Sequence, residues 1–152
     1  MMAALKIFLL NGPNANLYGR DAKGTYGAES YSQIKARCGN HAKTLDVALE
    51  FRQSNHEGQL IDWIQEARRD AKGLIINGAG LTYTSIAVLD ALLAFEKPII
   101  EVHMSNIYRR EPFRHHSYIS KAATGIVAGL GPLGYELALT AMVQLLNKAR
   151  NA

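Results

Sequence analysis

Leu5-Lys6-Ile7-Phe8-Leu9-Leu10 runs directly into Asn11-Gly12-Pro13-Asn14, an apolar run ending in a polar turn. The same change recurs twice. Leu74-Ile75-Ile76, after Gly73, gives way to Asn77-Gly78-Ala79-Gly80, and Pro98-Ile99-Ile100 leads into Glu101-Val102-His103-Met104-Ser105-Asn106. Short apolar runs bounded by turn residues read as strands buried on both faces, as in a parallel sheet. The carboxyl ends of parallel strands share one edge, where ligands bind in open α/β sheets. Three loops rich in amide and imidazole groups on that edge make a candidate pocket.

The remainder of the chain alternates strand and helix. The stretch from Asn11 to Glu29 holds Gly12, Gly19, Gly24 and Gly27 with little periodicity, a connection long enough to be functional. Ser30 with Gln33 is a capping-box signature, followed by Ile34, Cys38, His41 and Leu45 at helical spacing. Val47 to Phe51 reads as a second strand. Glu57 to Ala71 reads as a helix with Leu60, Ile61, Ile64 and Ala67 on one face and Gly73 as its stop. Thr84 or Ser85 caps a third helix running towards Phe95. Pro98 to Val102, Gly125 to Leu130 and a closing helix from Tyr135 to about Asn147 complete the series. Five strands joined by right-handed crossovers predict an α/β fold with a parallel sheet of order 2-1-3-4-5, in which strands one, three and four lie side by side.

The 152 residues fit a single domain, residues 1–152, with a net charge of +4 and Cys38 as the only cysteine. An intrachain disulfide is excluded. No apolar stretch approaches the ~20 residues that span a bilayer, and no secretory pattern opens the chain, so a cytoplasmic protein without membrane contact is expected. Positive charge gathers at Tyr108-Arg109-Arg110-Glu111-Pro112-Phe113-Arg114-His115-His116. No nucleic-acid module accompanies it, and a small anion is the better match.

Gly129-Leu130-Gly131-Pro132-Leu133-Gly134 fits the spacing G-x-G-x-x-G. No further strand or acidic residue follows as a dinucleotide site requires, so these glycines are assigned to turn and helix-start geometry. Glu101 and His103 are two apart on a strand and share a face. A metal would need a third ligand, for which His115 and His116 are candidates, but no metal-site spacing supports it. A carboxylate orienting an imidazole for proton transfer is the stronger reading. Tyr26 lies in the glycine-rich loop, as a surface residue, an anchor or a base. A phenol becomes a base only by losing its proton, which nearby cations favour. Arg20, Lys23, Arg110 and Arg114 are available. Arg114 could also clamp a hydroxyl or carboxylate. Asn14 and Asn77 could hold a water or an enolate oxygen, whereas Asn11 is assigned to the turn.

Together these stretches resemble the type II 3-dehydroquinate dehydratases. The matching segments are Leu10-Asn11-Gly12-Pro13-Asn14 with Tyr26-Gly27, Arg52-Gln53-Ser54-Asn55 with Glu57-Gly58, and Ile76-Asn77-Gly78-Ala79-Gly80 with Thr84-Ser85. Ile100 to Asn106, Arg110 to Arg114 and Gly129-Leu130-Gly131 complete the match, which spans nearly the whole chain in order. The resemblance implies a flavodoxin-like three-layer sandwich, no metal or organic cofactor, and a homododecamer built from trimers. It implies trans-elimination of water from 3-dehydroquinate to 3-dehydroshikimate, through an enolate. Tyr26 would take the proton beside the ketone. Asn14 would steady the enolate through a water, and His103, oriented by Glu101, would protonate the leaving hydroxyl. Met104 and Ser105 would bind the carboxylate, Asn77 and Arg114 the ring hydroxyls, and Asp90 would reach a neighbouring subunit's site.

The chain departs from that pattern at two positions. Where the family has its catalytic arginine, five residues before the tyrosine, stands Asp21, a carboxylate that disfavours a phenolate. Arg20, one position earlier, is the expected replacement, with Lys23 as the other option. Tyr83 stands where a substrate-binding histidine is common; it can still hydrogen-bond but cannot become a cation. These departures leave room for a repurposed relative that binds a cyclic polyhydroxy carboxylate without turning it over. A flavin or nucleotide protein is disfavoured, because Pro13 and Asn14 replace the phosphate-binding glycines after the first strand.

Overall fold

A computed structural model describes residues 5–151. Its elements in chain order are β1 (Leu5–Asn11), α1 (Tyr31–Thr44), β2 (Val47–Gln53), α2 (Glu57–Asp70), β3 (Gly73–Asn77), α3 (Ile86–Leu93), β4 (Ile99–His103), β5 (Gly125–Ala128) and α4 (Leu133–Arg150). The strands form one sheet in the order β2-β1-β3-β4-β5, every neighbouring pair parallel. This is the doubly wound order expected from the sequence.

The pleat sorts the core into two layers. Ile7 and Leu9 face α1 and α4, packing with Ile34, Cys38, Leu139 and Met142. Phe8 and Leu10 face α2 and α3, packing with Leu60, Ile64, Val88 and Leu92. Alternation along β1 therefore serves two cores, which explains why Ile7 to Leu10 is apolar without a break. Leu60 and Ile64, fully or almost fully buried, each contribute roughly 1.5–3 kcal/mol by leaving water.

The helix starts follow their residues. Ser30 Oγ accepts from Gln33 N (3.1 Å) and Gln33 Oε1 accepts from Ser30 N (2.9 Å), a complete capping box. Ser85 Oγ accepts from Val88 N (2.9 Å) and donates to Glu57 (2.5 Å), capping α3 while tying it to the first turn of α2. Arg37 on α1 grips Glu29 at 2.6 Å and Glu136 on α4 at 3.0 Å. That pins the far end of the long loop after β1 to the helical layer.

Several boundaries differ from expectation. Gly73 is not a helix stop: α2 ends at Asp70 with an extended cap at Ala71, and Gly73 opens β3. A Cβ there would lie 2.4 Å from Met142 Sδ, so its smallness admits α4. β5 stops at Ala128 because Gly129 (φ 89°) turns the chain, and Gly131 (φ 61°) turns it again before α4 starts at Leu133, two residues early. Both glycines serve the turn, as expected. Pro98, which has no N–H to donate, lies outside β4, which extends instead to His103.

Candidate active site

Three strand ends meet as the sheet order requires. The last residues of β1 and β3, Asn11 and Asn77, are register partners, and Gly12 N donates to Asn77 O at 2.8 Å. Gly12 allows this approach, since a Cβ there would lie 2.4 Å from the Gly78 carbonyl oxygen. β4 lies on the other side of β3 and carries Glu101 and His103.

Glu101 is wholly buried and His103 nearly so. Glu101 Oε2 takes a hydrogen bond from His103 Nε2 and another from Ser117 Oγ (2.9 Å), while Oε1 accepts from Ser120 Oγ (2.5 Å). Burial acts to raise the Glu101 pKa. The hydrogen bonds from His103 and Ser120 outweigh it, with Ser117 adding to them, and the carboxyl is held below its ordinary value. With Nε2 committed to Glu101, Nδ1 is the imidazole atom left for a ligand. The Tyr83 ring stacks on His103 with centroids 6.3 Å apart and an interplanar angle of 19°. The Arg114 guanidinium lies 5.5 Å from the Tyr83 centroid. Burial raises the Tyr83 pKa against the lowering effect of Arg114, so the phenol stays protonated near neutrality.

Asn77 is at the centre of a buried amide–phenol network. Its Nδ2 donates to the hydroxyls of Tyr18 and Tyr135, both at 2.8 Å, and its Oδ1 accepts from Ala79 N (3.2 Å). Tyr135 donates in turn to Asn11 Oδ1 (2.6 Å), and Asn11 Nδ2 donates to Arg52 O (3.1 Å). Asn11 is therefore no turn former: it is fully buried in β1 and anchors the network. Both Asn77 amide hydrogens are used, leaving a lone pair of Oδ1 for a ligand. Burial pushes the Tyr18 pKa up to about 12, against the opposing hydrogen bond from Asn77.

Tyr26 closes the site from the loop after β1. Its ring lies 5.0 Å from that of Tyr18, and its hydroxyl oxygen accepts from Arg110 Nη1 at 3.1 Å. The same nitrogen donates to Ser105 Oγ at 3.1 Å. Tyr18, Tyr26, Asn77, Tyr83, His103, Met104, Ser105, Arg110 and Arg114 line one cavity with Ala79 and Gly80, about 30 Å3 in volume. The much larger hollow beside β5 and α4, about 570 Å3, is bounded mostly by aliphatic residues and holds no acid–base pair.

Tyr26, Asn77, Tyr83, Met104, Ser105, His103 and Arg114 thus share one cavity, with Glu101 directly behind His103. Three other candidates stand apart. Asn14 is exposed, in a left-handed turn (φ 71°), with its N–H on Asn55 Oδ1 (2.9 Å). Asp90 is exposed on α3. Arg20 does not line that cavity; it borders a neighbouring hollow with Leu17, Asp21 and Thr25, which Tyr18 and Tyr26 also line. Just before it, Gly19 (φ 86°) packs so closely on the Ser30 backbone that a Cβ there would meet it at 2.8 Å. Asp21 is taken up by a local turn, with Oδ1 accepting from Lys23 N (3.1 Å) and its carbonyl from Gly24 N (2.9 Å). Beside Tyr26 stands Arg110 in place of Arg20. His115 Nε2 contacts the Arg110 carbonyl (3.1 Å) and His116 packs edge-on against Tyr118. Among the described residues no group of three or more His, Cys, Asp or Glu is placed to hold a metal.

Sequence reasoning missed Tyr18, Tyr135, Ser117 and Ser120. Their partners are 16 to 124 positions away, and no local spacing marks them.

An imidazole–carboxylate pair and a guanidinium-bound phenol on the carboxyl edge of a parallel α/β sheet are the groups that proton transfer on a small anionic ligand requires. The pattern of the family Dehydroquinase class II matches residues 5–143, and the chain belongs to that family. A 3-dehydroquinate dehydratase of Idiomarina loihiensis is 51% identical over 99% of this chain and 100% of its own length. The 3-dehydroquinate dehydratase 2 of Pseudomonas aeruginosa is 50% identical, covering 88% of this chain and 90% of its own. The crystal structure of type II dehydroquinase from Butyrivibrio crossotus superposes with a TM-score of 0.89 at 38% identity, covering 91% of this chain and 97% of that one.

Proposed function

We propose that the chain is a hydro-lyase converting 3-dehydroquinate to 3-dehydroshikimate by trans-elimination of water. The observation that carries this reading is the placing of Tyr26 and His103 as walls of one cavity, each with a charged partner: Arg110 on the phenol, Glu101 on the imidazole. Tyr26 takes the proton beside the ketone, and the resulting enolate expels the hydroxyl as His103 protonates it. Positioned proton donors and acceptors of this kind accelerate such steps by roughly 10²–10⁴-fold. The carbon losing the hydroxyl also carries the carboxylate. The carboxylate anchor must therefore adjoin the acid, as Met104 and Ser105 do at the tip of β4.

Asn77 Oδ1 accepts from a ring hydroxyl, and Arg114 and Tyr83 bound the same part of the ring. Asn14, outside the cavity walls, acts only through a water. No organic cofactor or metal is required, and the protein works in the cytoplasm as a dodecamer of trimers. Asp90 then faces a neighbouring site, a reading supported by the exposed Ile86 and Leu93 on the same helix, 56% and 54% accessible in the single chain. Mixing the protein with 3-dehydroquinate tests the activity: an ultraviolet rise from the conjugated enone is expected, and none at high enzyme concentration would refute it.

A further inference from the structure

We propose that Tyr18 is a substrate-binding residue of this site, donating its hydroxyl hydrogen to the ring hydroxyl that Asn77 Oδ1 accepts from. The inference rests on the dehydratase reading and adds a contact to it. It is carried by the hydrogen bonds of one buried cluster. Asn77 Nδ2 donates both its hydrogens to phenol oxygens, one to Tyr18 and one to Tyr135, each at 2.8 Å. Tyr135 passes its own hydrogen to Asn11 Oδ1 at 2.6 Å. The Tyr18 oxygen only accepts, and none of the hydrogen bonds among the described residues takes its hydrogen.

A hydroxyl hydrogen so far from water needs an acceptor, since Tyr18 is only 9% exposed. The cavity is where one can arrive. Tyr18 and Asn77 both line it, whereas Tyr135 is wholly buried and does not. A ligand hydroxyl donates one hydrogen bond and accepts others. Asn77 Oδ1 offers it an acceptor and the Tyr18 hydroxyl a donor, the two held together through Nδ2. An ether oxygen or a bare hydrogen in that place leaves at least one of them unmatched.

The donor is fixed in place and keeps its hydrogen. Tyr18 ends the short 3-10 helix Ala15–Leu17, and its N–H donates to Ala15 O at 3.2 Å. Its ring packs on that of Tyr26, with centroids 5.0 Å apart. Burial pushes its pKa up to about 12, so the hydroxyl is intact at neutral pH. Two phenols of one loop thus take opposite parts. The Tyr26 oxygen accepts from a guanidinium and is the base, while the Tyr18 oxygen accepts from a neutral amide and remains a donor.

The test uses quinate, which has a hydroxyl in place of the ketone, together with quinate analogues lacking one ring hydroxyl each. Calorimetric titration compares the unaltered enzyme with Tyr18→Phe and Tyr135→Phe. Tyr18→Phe is expected to weaken quinate roughly three- to tenfold, as loss of one neutral hydrogen bond does. It should leave one deoxy analogue almost unaffected, because that analogue has already lost the partner. KM for 3-dehydroquinate should rise by a similar factor with kcat little changed. Tyr135→Phe removes the same kind of bond from Asn77 without facing the cavity, so it should weaken quinate and every analogue alike. A Tyr18→Phe enzyme that weakens all of them by one factor, or a Tyr135→Phe enzyme with the same selective loss, would overturn the proposal, because Tyr18 would then act only by holding Asn77. A structure of the unaltered protein with quinate reads the contact without a variant. One ring hydroxyl oxygen within about 3 Å of both Tyr18 Oη and Asn77 Oδ1 is expected, and a Tyr18 hydroxyl with no ligand oxygen in that reach would contradict it. Failure of the dehydratase reading itself is separately visible, as unaltered enzyme that makes no enone.

Discussion

Glu101, with none of its surface open to solvent, holds Nε2 of His103 two residues along the same face of β4. Ser117 and Ser120 also donate to it, so the buried carboxylate accepts from three side chains. A Glu101→Gln variant keeps the shape but not the charge. The imidazolium then loses its stabilising partner, and kcat is expected to fall roughly 10²-fold with little change in KM. A rise in KM alone, read from steady-state enone formation, would mean that Glu101 binds substrate and does not orient the acid.

The serines are expected to show in stability. Ser120→Ala removes a donor from a buried carboxylate oxygen, at a cost of about 1–3 kcal/mol in urea unfolding. The Ser117→Ala,Ser120→Ala double variant should cost less than the sum if His103 closes on the vacated oxygen, and the double-mutant cycle measures it.

Acid should remove what Glu101 contributes. Its folded pKa lies below the ordinary carboxylate value, so below that ordinary value the unfolded chain binds the proton that the folded chain refuses. The contribution is full above the unfolded value, about 4.3, and drains away as pH falls through the folded one. Urea unfolding between pH 6 and pH 3 should therefore show a steeper loss in the parent than in Glu101→Gln.

At alkaline pH the sign reverses. Tyr18 is raised to about 12, so the folded phenol keeps its proton when the unfolded one, near 10, has lost it. Stability from this group is complete below pH ~10 and declines by roughly 1.4 kcal/mol per pH unit up to the folded value. Tyr18→Phe should flatten unfolding free energies between pH 9.5 and 11, at the price of an unmatched Asn77 donor at neutral pH.

Two glycines should separate backbone from side-chain obstruction. At Gly12 a new Cβ meets the Gly78 carbonyl at 2.4 Å, whereas at Gly73 it meets Met142 Sδ at the same distance. A methionine can change rotamer and a strand-end carbonyl cannot. Gly73→Ala is expected to cost about 1–3 kcal/mol, and Gly12→Ala more. The comparison is made by thermal or urea unfolding, and a smaller loss at Gly12 would contradict it.

The sheet order was legible because its causes are local: unbroken apolar runs, the Ser30–Gln33 box, glycines at the turns after β5. The Glu101–His103 pair was legible because a strand has period two. Tyr26 was legible from the resemblance more than from its surroundings. What escaped depends on approaches across the fold. Arg110 was one of four available cations, and no local spacing marks its contact with Tyr26, because 84 positions of chain separate the two. Asn11 read as a turn residue because Gly-Pro follows it; its role is set by Tyr135, 124 positions away. Gly73 read as a helix stop because it follows a helix, while the fact that decides it is the passage of Met142 on α4.

Base and acid can be separated in a single measurement, solvent deuterium incorporation beside the ketone of 3-dehydroquinate in heavy water. His103→Ala should still exchange that proton while forming almost no enone, because the base is intact and the leaving hydroxyl has lost its acid. Tyr26→Phe should neither exchange nor eliminate. Exchange by Tyr26→Phe at the rate of the unaltered enzyme would contradict the account at its centre.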